Sequence, residues 1–101
     1  MEILKKKEGN VLTLSLVGKL TAVTAPQLQE ELNPALEGED EIVIEMSQLD
    51  HVASAGLRVI MAAQKRINQK GTGRLILRGM KPEIREIFMV TGLLGMLNIE
   101  E

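Results

Sequence analysis

Short apolar runs alternate with segments of helical periodicity along the chain, and this alternation restricts the available folds more than any other feature. Two strand-like segments come first, at residues 2–7 and 11–17, and the turn-forming residues 8–10 separate them. Each later strand-like run follows a helical segment. The order β-β-α-β-α-β-α-β predicts parallel strands joined by right-handed crossovers. We therefore expect an α/β fold in which helices pack on a small mixed, mostly parallel sheet that starts with an antiparallel hairpin.

The strand-like runs differ in their patterns of apolar side chains. In the second run, leucines at every other position up to Leu16 alternate with polar residues, which is typical of a half-buried strand, and Gly18 is expected to end it. The third run, residues 42–46, is mostly apolar and rich in β-branched residues, which favours a central, buried strand. Two further strands are predicted at Arg74–Arg78 and at residues 97–99.

The first helical segment begins near Thr24. Thr24 and Gln27 have the spacing of a capping box, in which each side chain binds a backbone N–H of the first turn. Pro34 is expected to kink or shorten the helix near residues 29–31, and Gly38 closes the segment. The predicted apolar face consists of Leu28, Leu32, Ala35 and Leu36.

Two more helices follow. The second starts around Ser54, carries Gln64 on its polar side and ends at Lys70 and Gly71, a cation and a glycine suited to a helix terminus. Its apolar face consists of Leu57, Val59, Ile60, Ala63 and Ile67. The third helix opens at Pro82 and ends at Gly92.

Composition excludes several classes of function. A chain of 101 residues that is 45% hydrophobic can form one core, which predicts a single domain over residues 1–101. A net charge of −2 with one aromatic residue argues against nucleic-acid binding, and no apolar stretch is long enough to span a membrane. The absence of cysteine, with only one histidine, leaves no disulfide, thiol or metal site, and no motif indicates a cofactor. We expect a soluble, cytoplasmic protein.

Functional loops of parallel sheets gather at the carboxyl ends of the strands. Two loops qualify: residues 18–23, followed by Thr24, and residues 49–54, and they share one edge if their strands are neighbours. The second contains Asp50, His51 and Ser54, which are the residue types of a hydrolase triad. Neighbours in one tight loop seldom reach triad geometry, and no glycine-rich oxyanion loop is present. We therefore predict no catalytic residue, and His51 is interpreted as a surface residue.

Ser54 has two interpretations. Serine is a preferred N-cap, so the hydroxyl could bind an N–H group of the first turn. The N-terminus of a helix is also where a phosphate is best tolerated, because free N–H groups and the helix dipole both favour negative charge. Gly56 lacks a side chain, which would let another protein approach Ser54 closely.

Several dispersed motifs resemble the STAS family of anti-sigma-factor antagonists. VASAGLRV at residues 52–59 is similar to the family signature, and GKLT at residues 18–21 is similar to its Gly-x-Leu-Asp motif. Thr24-Ala25 followed by Leu28 matches the start of the family's first helix. Pro82, Phe88 and TGL at residues 91–93 match its third helix. The resemblance covers nearly the whole chain.

The resemblance implies partner switching. The unphosphorylated antagonist binds an anti-sigma factor that is also a serine kinase, the kinase phosphorylates Ser54, and a PPM-type serine phosphatase removes the phosphate. The surface that it implies for partner binding consists of Thr21, Thr24, Ala53, Ala55, Gly56, Leu57 and Arg58.

The chain departs from the family pattern at two positions, where Ala53 and Thr21 replace acidic residues. These departures keep an alternative open, in which the domain is an accessory subunit of a transporter or scaffold that binds a protein or small ligand without phosphorylation. The chain stops at Glu101, without a last helix that many relatives carry. The sheet surface left exposed would favour a weak homodimer.

Overall fold

The computed structural model describes residues 1–100 and has the predicted alternation of strands and helices. Glu101, the last residue of the predicted domain, lies outside the described residues. The strands are β1 (Glu2–Glu8), β2 (Val11–Leu20), β3 (Glu41–Val52), β4 (Arg74–Arg78) and β5 (Asn98–Glu100). The helices are α1 (Ala25–Gly38), α2 (Ser54–Lys70) and α3 (Pro82–Val90), with a short 3-10 helix at Leu94–Met96.

The five strands form one sheet in the order β1-β2-β3-β4-β5. Strands β1 and β2 are an antiparallel hairpin in which Glu8 lies opposite Val11, and the other three neighbouring pairs are parallel. The predicted mixed, mostly parallel α/β sheet and its opening hairpin are confirmed. Strand β3 is in the middle of the sheet, as its apolar composition indicated.

One face of the sheet forms the core together with the helices. Alternate residues of β2, β3 and β4, such as Leu14, Ile44 and Leu77, are fully buried in one cluster with apolar residues of all three helices. The predicted face of α1 is confirmed, and Phe88 of α3, the only aromatic residue, is fully buried. This packing holds the helix termini at fixed positions over the sheet.

The opposite face of the sheet carries polar side chains. Val43 and Ile76 pair across β3 and β4 on this face, between the ion pairs Glu41–Arg74 (3.3 Å) and Glu45–Arg78 (2.8 Å). Both apolar residues are nearly inaccessible, because they lie between long charged side chains. Burial opposes ionisation of Glu45, but hydrogen bonds from Arg78 and Ser47 outweigh it, and the pKa of the carboxyl is lowered.

The central strands are longer than predicted. Gly18 does not end β2: its φ of +109° coincides with a shift in register, after which Lys19 pairs with His51 and Leu20 with Val52. Consequently most of the predicted loop at residues 49–54 is strand, and only Ala53 separates β3 from α2. Gly18 was expected to end the strand. Instead a bulge shifts the register at this residue, and the pairing of β2 with β3 continues beyond it.

The capping box predicted for α1 is wrong, and so is the shortening predicted at Pro34. Thr24 makes no capping hydrogen bond; its Oγ1 donates to the carbonyl of Lys19 (2.8 Å), while Gln27 donates to the carbonyl of Met1 (3.1 Å). Pro34 does not shorten the helix, which runs through it to Gly38. The reason is tertiary, since buried residues on both sides of Pro34 hold the helix against the sheet.

The end of α2 is as predicted, but its polar side is not. Gly71 adopts a left-handed conformation (φ +77°) and donates to the carbonyl of Ile67, and Lys70 donates to the carbonyl of Leu36. Gln64, predicted to be on the exposed side, is buried. Among residues 1–100, no helix has both the length and the apolar composition to cross a membrane, and no three potential ligand side chains group around a metal position.

Candidate functional site

The carboxyl ends of β2 and β3 meet at one edge of the sheet. Leu20 and Val52 are register partners, and the N–H of Ala53 donates to the carbonyl of Leu20 at 2.8 Å. The loop after β2, residues 21–24, therefore lies beside the start of α2. This confirms that the two segments share an edge.

Ser54 is the first residue of α2 and does not cap it. Ala53 occupies the N-cap position in an extended conformation (φ −98°, ψ 168°), and no side chain caps the helix. The capping interpretation of Ser54 is therefore wrong. Its side chain is exposed, and within residues 1–100 its hydroxyl has one hydrogen-bond partner, Arg58 Nη2 at 3.5 Å. Arg58 follows Ser54 by one helical turn, so the two side chains are on the same face of α2.

Backbone donors at the start of α2 are also available. The N–H groups of Gly56 and Leu57 both donate to the carbonyl of Ala53. Within the described part of the chain, the N–H groups of Ser54 and Ala55 have no acceptor. Together with Arg58 they form an electropositive environment around the Ser54 hydroxyl.

Gly56 is needed for packing within this chain and does not open a path for another protein. It is buried, and a Cβ placed on it would lie 2.5 Å from Leu20 Cγ and 3.2 Å from Val52 Cγ2. The reason given for Gly56 in partner binding is therefore wrong. Leu57 is also buried, as part of the core. Both residues lie beneath the predicted surface and fix the position of the helix end.

The loop after β2 is held by its two threonines. Thr24 Oγ1 accepts from the N–H of Thr21 at 2.8 Å, and Thr21 Oγ1 accepts from the N–H of Val23 at 3.2 Å. This network presents Val23, whose side chain is 87% exposed. Sequence reasoning missed Val23, although an apolar β-branched residue between two loop threonines was a usable signal. It is a candidate apolar contact for a partner.

The triad residue types do not assemble into a catalytic unit. The carboxylate of Asp50 accepts from Lys81 Nζ at 2.6 Å, and this hydrogen bond and the nearby charge lower the pKa of the carboxyl. His51 is exposed on β3, and within residues 1–100 its side chain makes no hydrogen bond to Ser54 or Asp50. The Lys81–Asp50 pair instead ties the start of α3 to the end of β3.

The structure thus separates the predicted site residues by exposure. Ser54 and Arg58 are exposed. The half-buried residues around them are Thr21, Thr24, Ala53 and Ala55. This edge offers one exposed hydroxyl, one guanidinium, two backbone donors and one exposed apolar side chain, which suits the binding of a protein and of an anionic group.

Comparison with known proteins identifies relatives along the whole chain. Residues 3–98 match the sequence model of the family described as "Mlab, STAS domain". BtrV of Bordetella bronchiseptica, whose name describes it provisionally as an anti-sigma factor antagonist, is 33% identical over 100 residues, which are 98% of this chain and 85% of the relative.

Solved structures share the fold. An anti-sigma factor antagonist from Mycobacterium paratuberculosis aligns with a TM-score of 0.85 at 23% identity, over 97% of this chain and 83% of the other. The phosphorylated form of the Bacillus cell fate determinant SpoIIAA aligns with a TM-score of 0.77 at 17% identity, over 99% of this chain and 92% of the other. At these identities the similarity establishes the fold alone.

Proposed function

The chain belongs to the STAS domain family, and from this premise we propose that it is an anti-sigma-factor antagonist switched by phosphorylation of Ser54. In this proposal residues 1–101 act as one cytoplasmic, non-enzymatic domain. Its partners are an anti-sigma factor that is also a serine kinase, and a PPM-type phosphatase. The name of BtrV supports antagonism, and the fold shared with SpoIIAA shows that a domain of this architecture has a phosphorylated form.

The observation that carries the proposal is the exposed hydroxyl of Ser54, which does not cap α2. A serine that capped α2 would have its oxygen occupied by a backbone N–H. Here Ala53 takes the cap position, and Ser54 projects an exposed hydroxyl whose one contact within residues 1–100 is a long bond to Arg58. A kinase needs such an accessible hydroxyl, and no structural role of the side chain competes with its modification.

A phosphate on Ser54 would be well accommodated by this chain. It adds about −1.5 to −2 charges at pH 7. The unpaired N–H groups of Ser54 and Ala55 and the guanidinium of Arg58 can all bind phosphate oxygens, and the dipole of α2 favours negative charge at this end. Phosphorylation is therefore expected to leave the fold intact.

The same phosphate would oppose partner binding. Gly56 packs against Leu20, and the Ala53–Leu20 hydrogen bond holds the helix end, so the helix cannot retreat from an interface. The charge would have to be desolvated in the contact. Arg58 supplies only one positive charge, so part of the phosphate charge stays uncompensated, and burying that remainder in the contact costs several kcal/mol. Each ~1.4 kcal/mol is a tenfold change in affinity. A loss of at least about a hundredfold is expected from these magnitudes.

The test uses the purified chain with its cognate anti-sigma factor and ATP. Mass spectrometry should find one phosphate on wild-type protein, mapped to Ser54, and none on Ser54→Ala. Ser54→Asp should lower the affinity for the anti-sigma factor, measured by calorimetry. Thr72→Asp is the matched control, because it adds the same charge in the exposed turn after α2, at the other end of the helix. Unmodified wild-type protein, or equal affinities for Ser54→Asp and wild type, would refute the proposal.

The alternative function, an accessory subunit of a transporter or scaffold, draws support from the local charge. Thr21 and Ala53 leave the edge without the acidic residues typical of the family, and the nearby Asp50 is paired with Lys81. This alternative predicts that Ser54 stays unmodified in native cells under every growth and stress condition sampled.

Weak self-association is a further part of the proposal. The face of the sheet opposite the helices is uncovered, but Val43 and Ile76 are already covered by their charged neighbours, so a second copy would bury little additional apolar surface there. This favours weak association over a stable dimer. Sedimentation equilibrium over a range of concentrations would measure it.

A further inference from the structure

The exposed face of α2 extends well beyond Ser54. Ser54, Arg58, Met61, Lys65 and Asn68 recur at spacings of four and three residues, which places them along one side of the helix. All of them are exposed except Met61, which is half-buried. Lys65 follows Ser54 by eleven residues, or about 16 Å along the helix axis. The far half of this face is therefore separate from the proposed phosphorylation site at Ser54.

A groove lies along this far half, between α2 and the 3-10 helix. Its volume is about 460 Å³, and it is lined by Met61, Ala62, Gln64, Lys65, Asn68 and Met96. Met96 is 59% exposed, although it is a large apolar residue. Methionine side chains adapt readily to the shape of a bound partner. The lining is therefore suited to receive apolar side chains from another molecule.

Gln64 provides a second, independent indication of a binding site. It is the one polar residue within residues 1–100 that is nearly fully buried, at 6% exposure. Its Nε2 donates to Asn68 Oδ1 at 3.0 Å, but its Oε1 has no hydrogen-bond partner among the described residues. An unpaired buried carbonyl is unfavourable. A donor from a bound molecule would satisfy it once the flexible side chains of the groove move aside.

The charge of α2 indicates the chemistry of that molecule. The helix carries four cations, Arg58, Lys65, Arg66 and Lys70, and no acidic residue, in a chain whose net charge is −2. Arg66 pairs with Glu37 on a neighbouring side of the helix. Lys65, in the groove, has no ion-pair partner within residues 1–100. A complementary partner would therefore be acidic as well as apolar.

We propose that the groove between α2 and the 3-10 helix is a second docking surface, which binds an acidic amphipathic helix of a partner protein. Apolar side chains of that helix occupy the space between Met61 and Met96, and a carboxylate pairs with Lys65. The occupant is a helix because the α2 residues that line the groove extend over two turns, from Met61 to Asn68. A helix packed alongside presents apolar side chains at every third or fourth position to a groove of this kind.

The groove is also expected to stay functional when Ser54 is phosphorylated, a statement that rests on the proposed function. About 16 Å separates Lys65 from Ser54, whereas charges at physiological salt are screened over about 8 Å. A phosphate on Ser54 would thus hardly alter the potential at Lys65. Docking in the groove would keep a partner attached while its contact at Ser54 is switched.

The experiment titrates the ¹⁵N-labelled protein with a designed acidic peptide of about 15 residues that carries leucine at every third or fourth position. Shift changes are expected at Met61, Lys65, Asn68 and Met96. Lys65→Gln should weaken peptide binding about three- to fivefold, because an exposed ion pair contributes up to about 1 kcal/mol. Arg66→Gln is the matched control: it removes the same charge from the adjacent residue, which does not line the groove, and should change affinity less than twofold.

Two further variants separate this proposal from the one on Ser54. Gln64→Leu should weaken peptide binding while the melting temperature of the protein stays the same or rises, because the unpaired carbonyl is removed. Ser54→Asp should leave peptide affinity unchanged within twofold. Shift changes centred on Ser54, equal losses for Lys65→Gln and Arg66→Gln, or no binding at all would overturn the docking surface. None of these results depends on whether Ser54 accepts a phosphate, so either proposal can fail without the other.

Discussion

Replacing Gly56 with alanine should destabilise the fold, because the position has no room for one methyl group. The added Cβ would lie 2.5 Å from Leu20 Cγ and 2.6 Å from Leu20 Cδ2. Leu20 is fully buried at the end of β2, and its own neighbours leave it little freedom to move. The clash therefore has to be relieved by shifting α2 away from the sheet or by forcing Leu20 out of its rotamer.

The magnitude follows from two opposing effects. Overpacking a core costs about 1–3 kcal/mol, and two sub-3 Å contacts with a fully buried leucine favour the upper end. Alanine is better than glycine inside a helix by about 1 kcal/mol. The net loss is about 2 kcal/mol, which for a chain of this length lowers the melting temperature by roughly 8 °C.

Far-UV circular dichroism is the suitable assay, because the chain has no tryptophan or tyrosine to report unfolding by fluorescence. Urea and thermal unfolding of Gly56→Ala would be compared with those of Gly38→Ala. Gly38 is the last residue of α1, and a Cβ there would meet no atom within 4 Å. This control should be neutral or slightly stabilised.

A double-mutant cycle identifies Leu20 as the cause. Leu20→Ala removes the side chain that an added Cβ at position 56 would meet. In this background Gly56→Ala should therefore be neutral or stabilising, and the coupling free energy between the two substitutions should be about 2–3 kcal/mol. If Gly56→Ala is as stable as the wild type, the close packing of α2 on Leu20 is refuted. If the loss is the same in both backgrounds, the cost arises elsewhere than at this contact.

Two further predictions concern charge. Because the pKa of Glu45 is lowered in the folded state, the stability that this residue contributes is present above its ordinary pKa of 4.5 and is lost as the pH falls through the lowered folded value. The difference in unfolding free energy between wild type and Glu45→Gln, measured in urea, should therefore be at most about 1 kcal/mol at neutral pH and should vanish in acid. A difference that grows in acid would contradict this sign. Arg58→Gln should raise the second pKa of phosphoserine 54, about 6 in model compounds, in a ³¹P NMR titration, because it removes the cation next to the hydroxyl, whereas Arg66→Gln should leave that pKa unchanged.

Most of the fold was predictable because it depends on local periodicity. The alternation in β2, the β-branched residues of β3 and the apolar stripe of α1 each specify one element and the side that it buries. The crossover rule then leaves few sheet orders for that sequence of elements. The shared edge of β2 and β3, where Ser54 lies, was predicted on the condition that these strands are neighbours, and their pairing meets that condition.

The errors occurred where a residue's local preference competed with distant contacts. Pro34 was expected to interrupt α1, but the packing of α1 on the sheet lets the helix continue past it. Gly18 was expected to end β2, but pairing with β3 extends the strand beyond it. Thr24 and Gln27 have the spacing of a capping box, yet their side chains bind the carbonyls of Lys19 and Met1, which are close only after folding.

The sequence by itself determined the α/β class, the order of the elements, the core-facing residues and the position of Ser54 at the start of a helix, because all of these depend on neighbours along the chain. Only the tertiary structure decided what the side chains at that position do. In the folded protein Ala53 occupies the N-cap position, Ser54 is exposed beside Arg58, and Gly56 lets α2 pack closely on Leu20. It also buried Gln64, whose surroundings include a 3-10 helix far along the chain. Exposure and hydrogen bonding of this kind depend on which distant segments come together, and helical periodicity carries no information about them.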